Sequence, residues 1–91
     1  MDKTTYKEKL EAQLKEWQGE IDKLKAEAEK KSTETKATYQ ERINELEQRT
    51  NQVKEKLSAL KETGDDKWED VRKEIDKETT EIKAQIKDLL Y

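Results

Sequence analysis

The stretch KKSTETKAT, residues 30–38, decides how this chain folds. It holds one serine, three threonines and no large apolar residue. On its N-terminal side, Leu10, Leu14, Trp17, Ile21, Leu24 and Ala28 step by three and four, which draws one stripe down a helix. On its C-terminal side a second stripe runs through Tyr39, Ile43, Leu46, Thr50, Val53, Leu57 and Leu60. Either the stretch turns and the two stripes belong to two helices, or it continues as a polar length of one long helix.

Phase favours continuity. From Ala28 to Tyr39 is 11 residues, three turns at about 3.67 residues per turn, so a helix that ran on would keep both stripes on one face. The stretch has no Gly, Pro or Asn to make a tight turn. Upstream, Thr5 followed by Glu8 has the spacing of a capping box. Gly19 costs about 1 kcal/mol against alanine without breaking a helix. Glu11–Lys15, Glu27–Lys31 and Glu45–Arg49 are favourable i,i+4 pairs. The clear break is KETGDDKWED, residues 61–70: Gly64 suits the left-handed position after a helix, and Asp66 with Glu69 suits the start of the next. The last helix carries Trp68, Val71, Ile75, Thr79, Ile82, Ile86 and Leu89.

Counting outward from Gly64 brings Leu60 level with Trp68, Leu57 with Val71, Val53 with Ile75, Leu46 with Ile82, Ile43 with Ile86, and Tyr39 with Leu89. The expected fold is therefore all-α, one domain over 1–91. A long helix over about 4–62, a turn at 63–66 and a shorter helix over 67–90 form an antiparallel coiled-coil hairpin. In that arrangement the stripe Leu10, Leu14, Trp17, Ile21, Leu24 and Ala28 overhangs uncovered. A second copy running antiparallel would cover it, giving an elongated homodimer with Trp17 against Ile21 of the other chain. The alternative is a monomeric three-helix bundle with a turn near 32–35, whose small core would leave it marginally stable.

Composition agrees with a coiled-coil class. Charged residues make up 47% of 91 residues and hydrophobic residues 30%, with no Pro and no Phe. Such a balance gives either disorder or long amphipathic helix, and the regular period selects helix. The net charge of −3 is a small difference between 20 basic and 23 acidic groups with interleaved signs, so there is no basic stripe for nucleic acid. No apolar run spans a bilayer, MDKTTYKEKL has no signal-peptide core, and the expected location is cytoplasmic.

Chemistry-bearing residues are few. Without His or Cys most metal and nucleophile designs are absent, and the carboxylates form no distinguishable pair. Asp65, Asp66, Glu69 and Asp70 lack the alternation and turn glycine of a calcium loop, and a helix cap explains them better. No catalytic, cofactor or metal residue is expected, and the chain reads as a non-enzyme. Trp17 and Trp68 could anchor a partner or a lipid surface, but both lie in phase with the stripe, which makes core the simpler reading. Small residues at Thr5, Ala12, Gly19, Ala26 and Thr33 could admit another helix, or merely reflect good surface helix formers.

The segments YKEKLEAQLKEWQGEIDKLKAEAEK (6–30), TYQERINELEQR (38–49) and GDDKWEDVRKEID (64–76) resemble a family of small bacterial coiled-coil proteins. Its cyanobacterial and proteobacterial members are commonly labelled stress-response proteins. The opening pattern Y-x-x-K-L-x-A-Q-L-x-x-W-x-x-x-I-D-K-L carries most of that resemblance, and KKSTETKAT departs from the Ala-rich segment usual there. The resemblance implies a helical, stress-linked protein and supplies no site residues. The expected function is that of a self-associating structural or interaction protein, with a second copy or another protein as partner. The alternative is an amphipathic protein that binds lipid surfaces reversibly, although acidic residues flank its narrow apolar face as often as lysines.

Overall fold

The computed structural model describes residues 2–60, 62–64 and 66–90. They are all-helical: α1 is Lys3–Glu29, α2 is Thr33–Leu60 and α3 is Trp68–Leu90. The expectation of one helix over about 4–62 is thus corrected: the chain turns at Lys30–Ser32 and lays α1 back along α2. α3 runs antiparallel to α2 and hence parallel to α1. The rod measures 50 × 19 × 17 Å, and its radius of gyration is 15.0 Å, against about 12 Å for a compact domain of this length.

Covering the first stripe explains the turn. Burying Leu10, Leu14, Trp17, Ile21 and Leu24 is worth on the order of 10 kcal/mol at about 2 kcal/mol per side chain. Interrupting a helix forfeits a few backbone hydrogen bonds at about 1 kcal/mol each. Phase and the absence of turn-forming residues are weaker than that. The corner itself is tight: Lys30 N donates to Glu27 O and Lys31 N to Ala28 O, both at 3.1 Å, then Lys36 N donates to Ser32 O at 2.7 Å. Lys30 keeps near-helical angles, φ −87° and ψ −6°.

Helix starts also differ from expectation. α1 begins before Thr5, and its cap is Asp2, whose Oδ1 accepts from Thr5 N at 2.7 Å. That hydrogen bond holds the Asp2 carboxyl below its ordinary range. Gly64 was expected at positive φ, closing the long helix, yet no described glycine has positive φ. Gly64 instead opens the turn into α3, its carbonyl accepting from Lys67 N and Trp68 N at 3.0 and 3.1 Å. Asp66, expected as the N-cap, lies in this turn, and α3 starts at Trp68. Asp65 lies outside the described residues.

One core runs along the rod. From α1 it takes Tyr6, Leu10, Leu14, Trp17, Ile21, Leu24 and Ala28; from α2 Ile43, Leu46, Val53, Leu57 and Leu60; from α3 Ile75, Ile82 and Ile86. Tyr39, Trp68, Val71, Leu89 and Leu90 pack against it partly buried. Thr50 and Thr79 are also buried. Each helix thus turns one stripe inward and gives its other faces to charge, which is what a three-and-four step with 47% charged residues produces.

Candidate functional site

The six residues expected at a dimer interface, Leu10, Leu14, Trp17, Ile21, Leu24 and Ala28, are all buried within the single chain. They line the inner face of α1, against α2 and α3. α1 packs chiefly on α2, and so does α3, which leaves α1–α3 as the thinnest of the three seams. The candidate site is this inner face and the contacts at its two ends.

At the end beside the 61–67 connection, the Tyr6 hydroxyl donates to Asp76 Oδ1 at 2.8 Å. Arg72 holds the same carboxylate, NH1 to Oδ2 at 3.2 Å, and pairs with Glu69 at 2.8 Å. The Tyr6 ring meets Trp68 at 6.2 Å between centroids, tilted by 48°. Burial, then the Asp76 hydrogen bond, pushes the Tyr6 hydroxyl well above its ordinary value of 10.0. Glu69, the first partner, then Asp76, pushes the Arg72 guanidinium up. The Lys3 ammonium also donates to the Thr63 carbonyl, 2.5 Å away. The open end of α1 is therefore tied both to α3 and to the connection that precedes it.

At the other end, the Tyr39 hydroxyl donates to the Leu89 carbonyl at 2.6 Å, and the Lys31 ammonium lies 5.5 Å from the Tyr39 ring centroid. Lys25 pairs with Glu47 at 2.9 Å and Lys36 with Glu29 at 2.8 Å. The Glu47 hydrogen bond pushes the Lys25 ammonium up. Between α2 and α3, Lys56 bridges to Glu78 and Glu74, and Arg49 pairs with Glu81 at 3.4 Å. These pairs are partly or largely exposed, so solvent screens them and they act on register more than on stability.

Depressions between the helices are shallow. The one on the α1–α3 seam has a volume of about 320 Å³ and is lined by Gln13, Glu16, Trp17, Glu20, Lys83, Ile86, Lys87 and Leu90. Glu16 and Glu20 on α1 thus face Lys83 and Lys87 on α3, a complementary arrangement across an apolar floor. Among the described residues no group of three or more His, Cys, Asp or Glu side chains is placed to hold a metal ion. No described helix is long and apolar enough to cross a membrane.

Two features escaped the sequence reading. Tyr6 extends the first stripe by one more step of four, a signal that was present, but its bond to Asp76 depends on a packing of α1 on α3 that no local pattern specifies. Thr50 and Thr79 lie in phase with the core, yet they differ inside it. The Thr50 hydroxyl donates to Leu46 O at 2.8 Å, whereas Thr79 Oγ1 is buried with no hydrogen-bond partner. No protein-family model, no curated protein and no solved structure matches this chain.

Proposed function

We propose that the chain is a non-enzymatic helical interaction protein that works by self-association, its partner being a second copy. The observation that carries this reading is the use of the large apolar side chains. Each lies on one helical stripe, and all of the first stripe is engaged in helix-against-helix contact. Complementary charge across the seams, Lys25 with Glu47 and Glu16 and Glu20 opposite Lys83 and Lys87, gives those stripes a preferred mate. These seams are closed within one chain, and a second copy, which carries the same stripes and charges by construction, offers α1 the same seat. The stress-linked role rests on the family resemblance alone.

Sedimentation velocity over a concentration series tests the proposal. A two-chain species that grows with concentration supports it, and a single-chain mass at every concentration overturns it. A second reading has one observation in its favour: Trp68, Val71, Leu89 and Leu90 leave part of α3's apolar face exposed, as on a helix that can transfer to a lipid surface. Under that reading, anionic vesicles shift tryptophan emission to the blue and raise helicity. Under the first, emission is indifferent to vesicles.

A further inference from the structure

Resting on the self-association reading, we infer that two copies associate by exchanging α1: the Lys30–Ser32 corner straightens, α1 and α2 merge, and each α1 packs on α2 and α3 of the other copy.

The corner is built to allow it. Lys30 already has near-helical angles, no described residue has positive φ, and the change of direction is made at Lys31 and Ser32. Neither is a glycine or proline, and the one local residue that favours the turn is Ser32, which sits at the start of α2 with its carbonyl accepting from Lys36 N. Residues 29–35 are all exposed, so the corner residues themselves give up no core contact on straightening, and the face that α1 uncovers is covered again by the other copy. The Ser32 hydroxyl bonds to the Thr35 hydroxyl at 3.1 Å, a bond that also fits a continuous helix, where i and i+3 are neighbours.

The register agrees. In one chain Lys25 pairs with Glu47, Lys31 lies over Tyr39, and Ala28 and Ile43 line one cleft. All three relations centre on Thr35 or Lys36. Transferred unchanged to two long antiparallel helices, they place a twofold axis there. Ala28, Ser32, Thr35 and Tyr39 step by four, three and four, so Ser32 and Thr35 continue the buried stripe through the axis. Small hydroxylated residues fit there, as Thr50 does inside the core. Every apolar contact that α1 makes in the single bundle is then remade between copies, while α3 stays on α2 of its own chain, and the merged helix from Lys3 to Leu60 is about 87 Å long. This twofold differs from one centred on Gly19, where Trp17 would face Ile21.

The chain has no cysteine, which gives a direct test. Lys25→Cys and Glu47→Cys variants are refolded together at high concentration, and the two-chain fraction is treated with a short bis-maleimide. Within one chain neither variant can bridge 25 to 47. Exchange predicts a cross-linked pair joining residue 25 of one copy to 47 of the other. It also predicts that Ser32→Pro lowers the dimer association constant by more than about 100-fold, because proline sits badly inside both merged helices. Lys31→Ala with Ser32→Ala raises it about tenfold through better helix propensity in each chain. Dimers that give no 25–47 bridge, or that ignore all three hinge substitutions, overturn the exchange while leaving self-association intact. A single-chain mass throughout overturns both.

Discussion

The two corners of this bundle make the same change of direction by different means. The connection from α2 to α3 spans residues 61–67 and carries its own local supports: Thr63 N donates to Leu60 O, the Thr63 hydroxyl to Ala59 O, and the Gly64 carbonyl accepts two amides of the next turn. The connection from α1 to α2 turns within Lys30–Ser32, with no glycine, and its own support is the amides closing on Glu27 and Ala28 and Ser32 at the start of α2. The first corner is written into its own sequence. The second exists because the stripe on α1 gains more from being covered than the helix loses by stopping. A turn imposed from outside in this way leaves little mark in its own residues.

If α1 is held by its inner face and not by its corner, thinning that face should release it. Leu24→Ala and Leu60→Ala both remove fully buried side chains and should each cost about 2–5 kcal/mol in chemical denaturation. The comparison sharpens in hydrogen exchange. Leu24→Ala should lower protection through α1 and the 30–32 corner ahead of α2 and α3, whereas Leu60→Ala should lower all three together. Uniform loss in both variants would erase the distinction between the corners.

The tie between α1 and α3 is next in size. Tyr6→Phe deletes the bond to Asp76 and should cost about 1 kcal/mol at neutral pH. Its hydroxyl keeps its proton in the folded state beyond the pH at which the unfolded chain releases it. This contribution is therefore complete below about pH 10 and is lost as pH rises above it. In an absorbance titration of the three tyrosines, one phase should lag behind the unfolded chain, and Tyr6→Phe should remove it. A titration unchanged by the substitution would place Tyr6 away from Asp76.

Smaller effects separate backbone from packing. Gly19 is exposed in α1, and an added Cβ meets nothing within 4 Å, so Gly19→Ala should stabilise by about 1 kcal/mol. At Gly64 the same Cβ would come 3.0 Å from Asp66 Oδ1, the mobile end of a side chain, and φ is not positive. Gly64→Ala should therefore change stability by less than about 1 kcal/mol, where a left-handed glycine would lose more. Thr79→Val removes a buried hydroxyl with no partner and should stabilise by up to about 1 kcal/mol, whereas Thr50→Val gives up a satisfied bond and should not.

The helical class was legible because a three-and-four step runs almost the length of the chain. The apolar stripes followed from it, although the first was expected to face a second copy and lies inside the single chain. What the pattern could not convey was which helix covers which. An 11-residue gap is as compatible with one helix as with two, since the stripe keeps its phase in both, and only the free energy of covering Leu10 to Leu24 decides between them. The Asp2 cap was hidden for a simpler reason: Thr5 with Glu8 also satisfies the capping pattern, three residues further in. The Tyr6–Asp76–Arg72 cluster joins residues about 70 apart, and only the folded bundle brings them together.

The most direct test of the fold is one intrachain distance. Lys9 and Ser58 are exposed, near the N-terminal end of α1 and the C-terminal end of α2. With spin labels on cysteines at both positions, diluted into unlabelled chain, pulsed electron paramagnetic resonance reads the separation within one molecule. The bundle predicts a short distance at low protein concentration, near the width of a helix pair, about 10–20 Å with the labels included. A separation of about 75 Å at every concentration, the span of an unbroken helix between those residues, would contradict it.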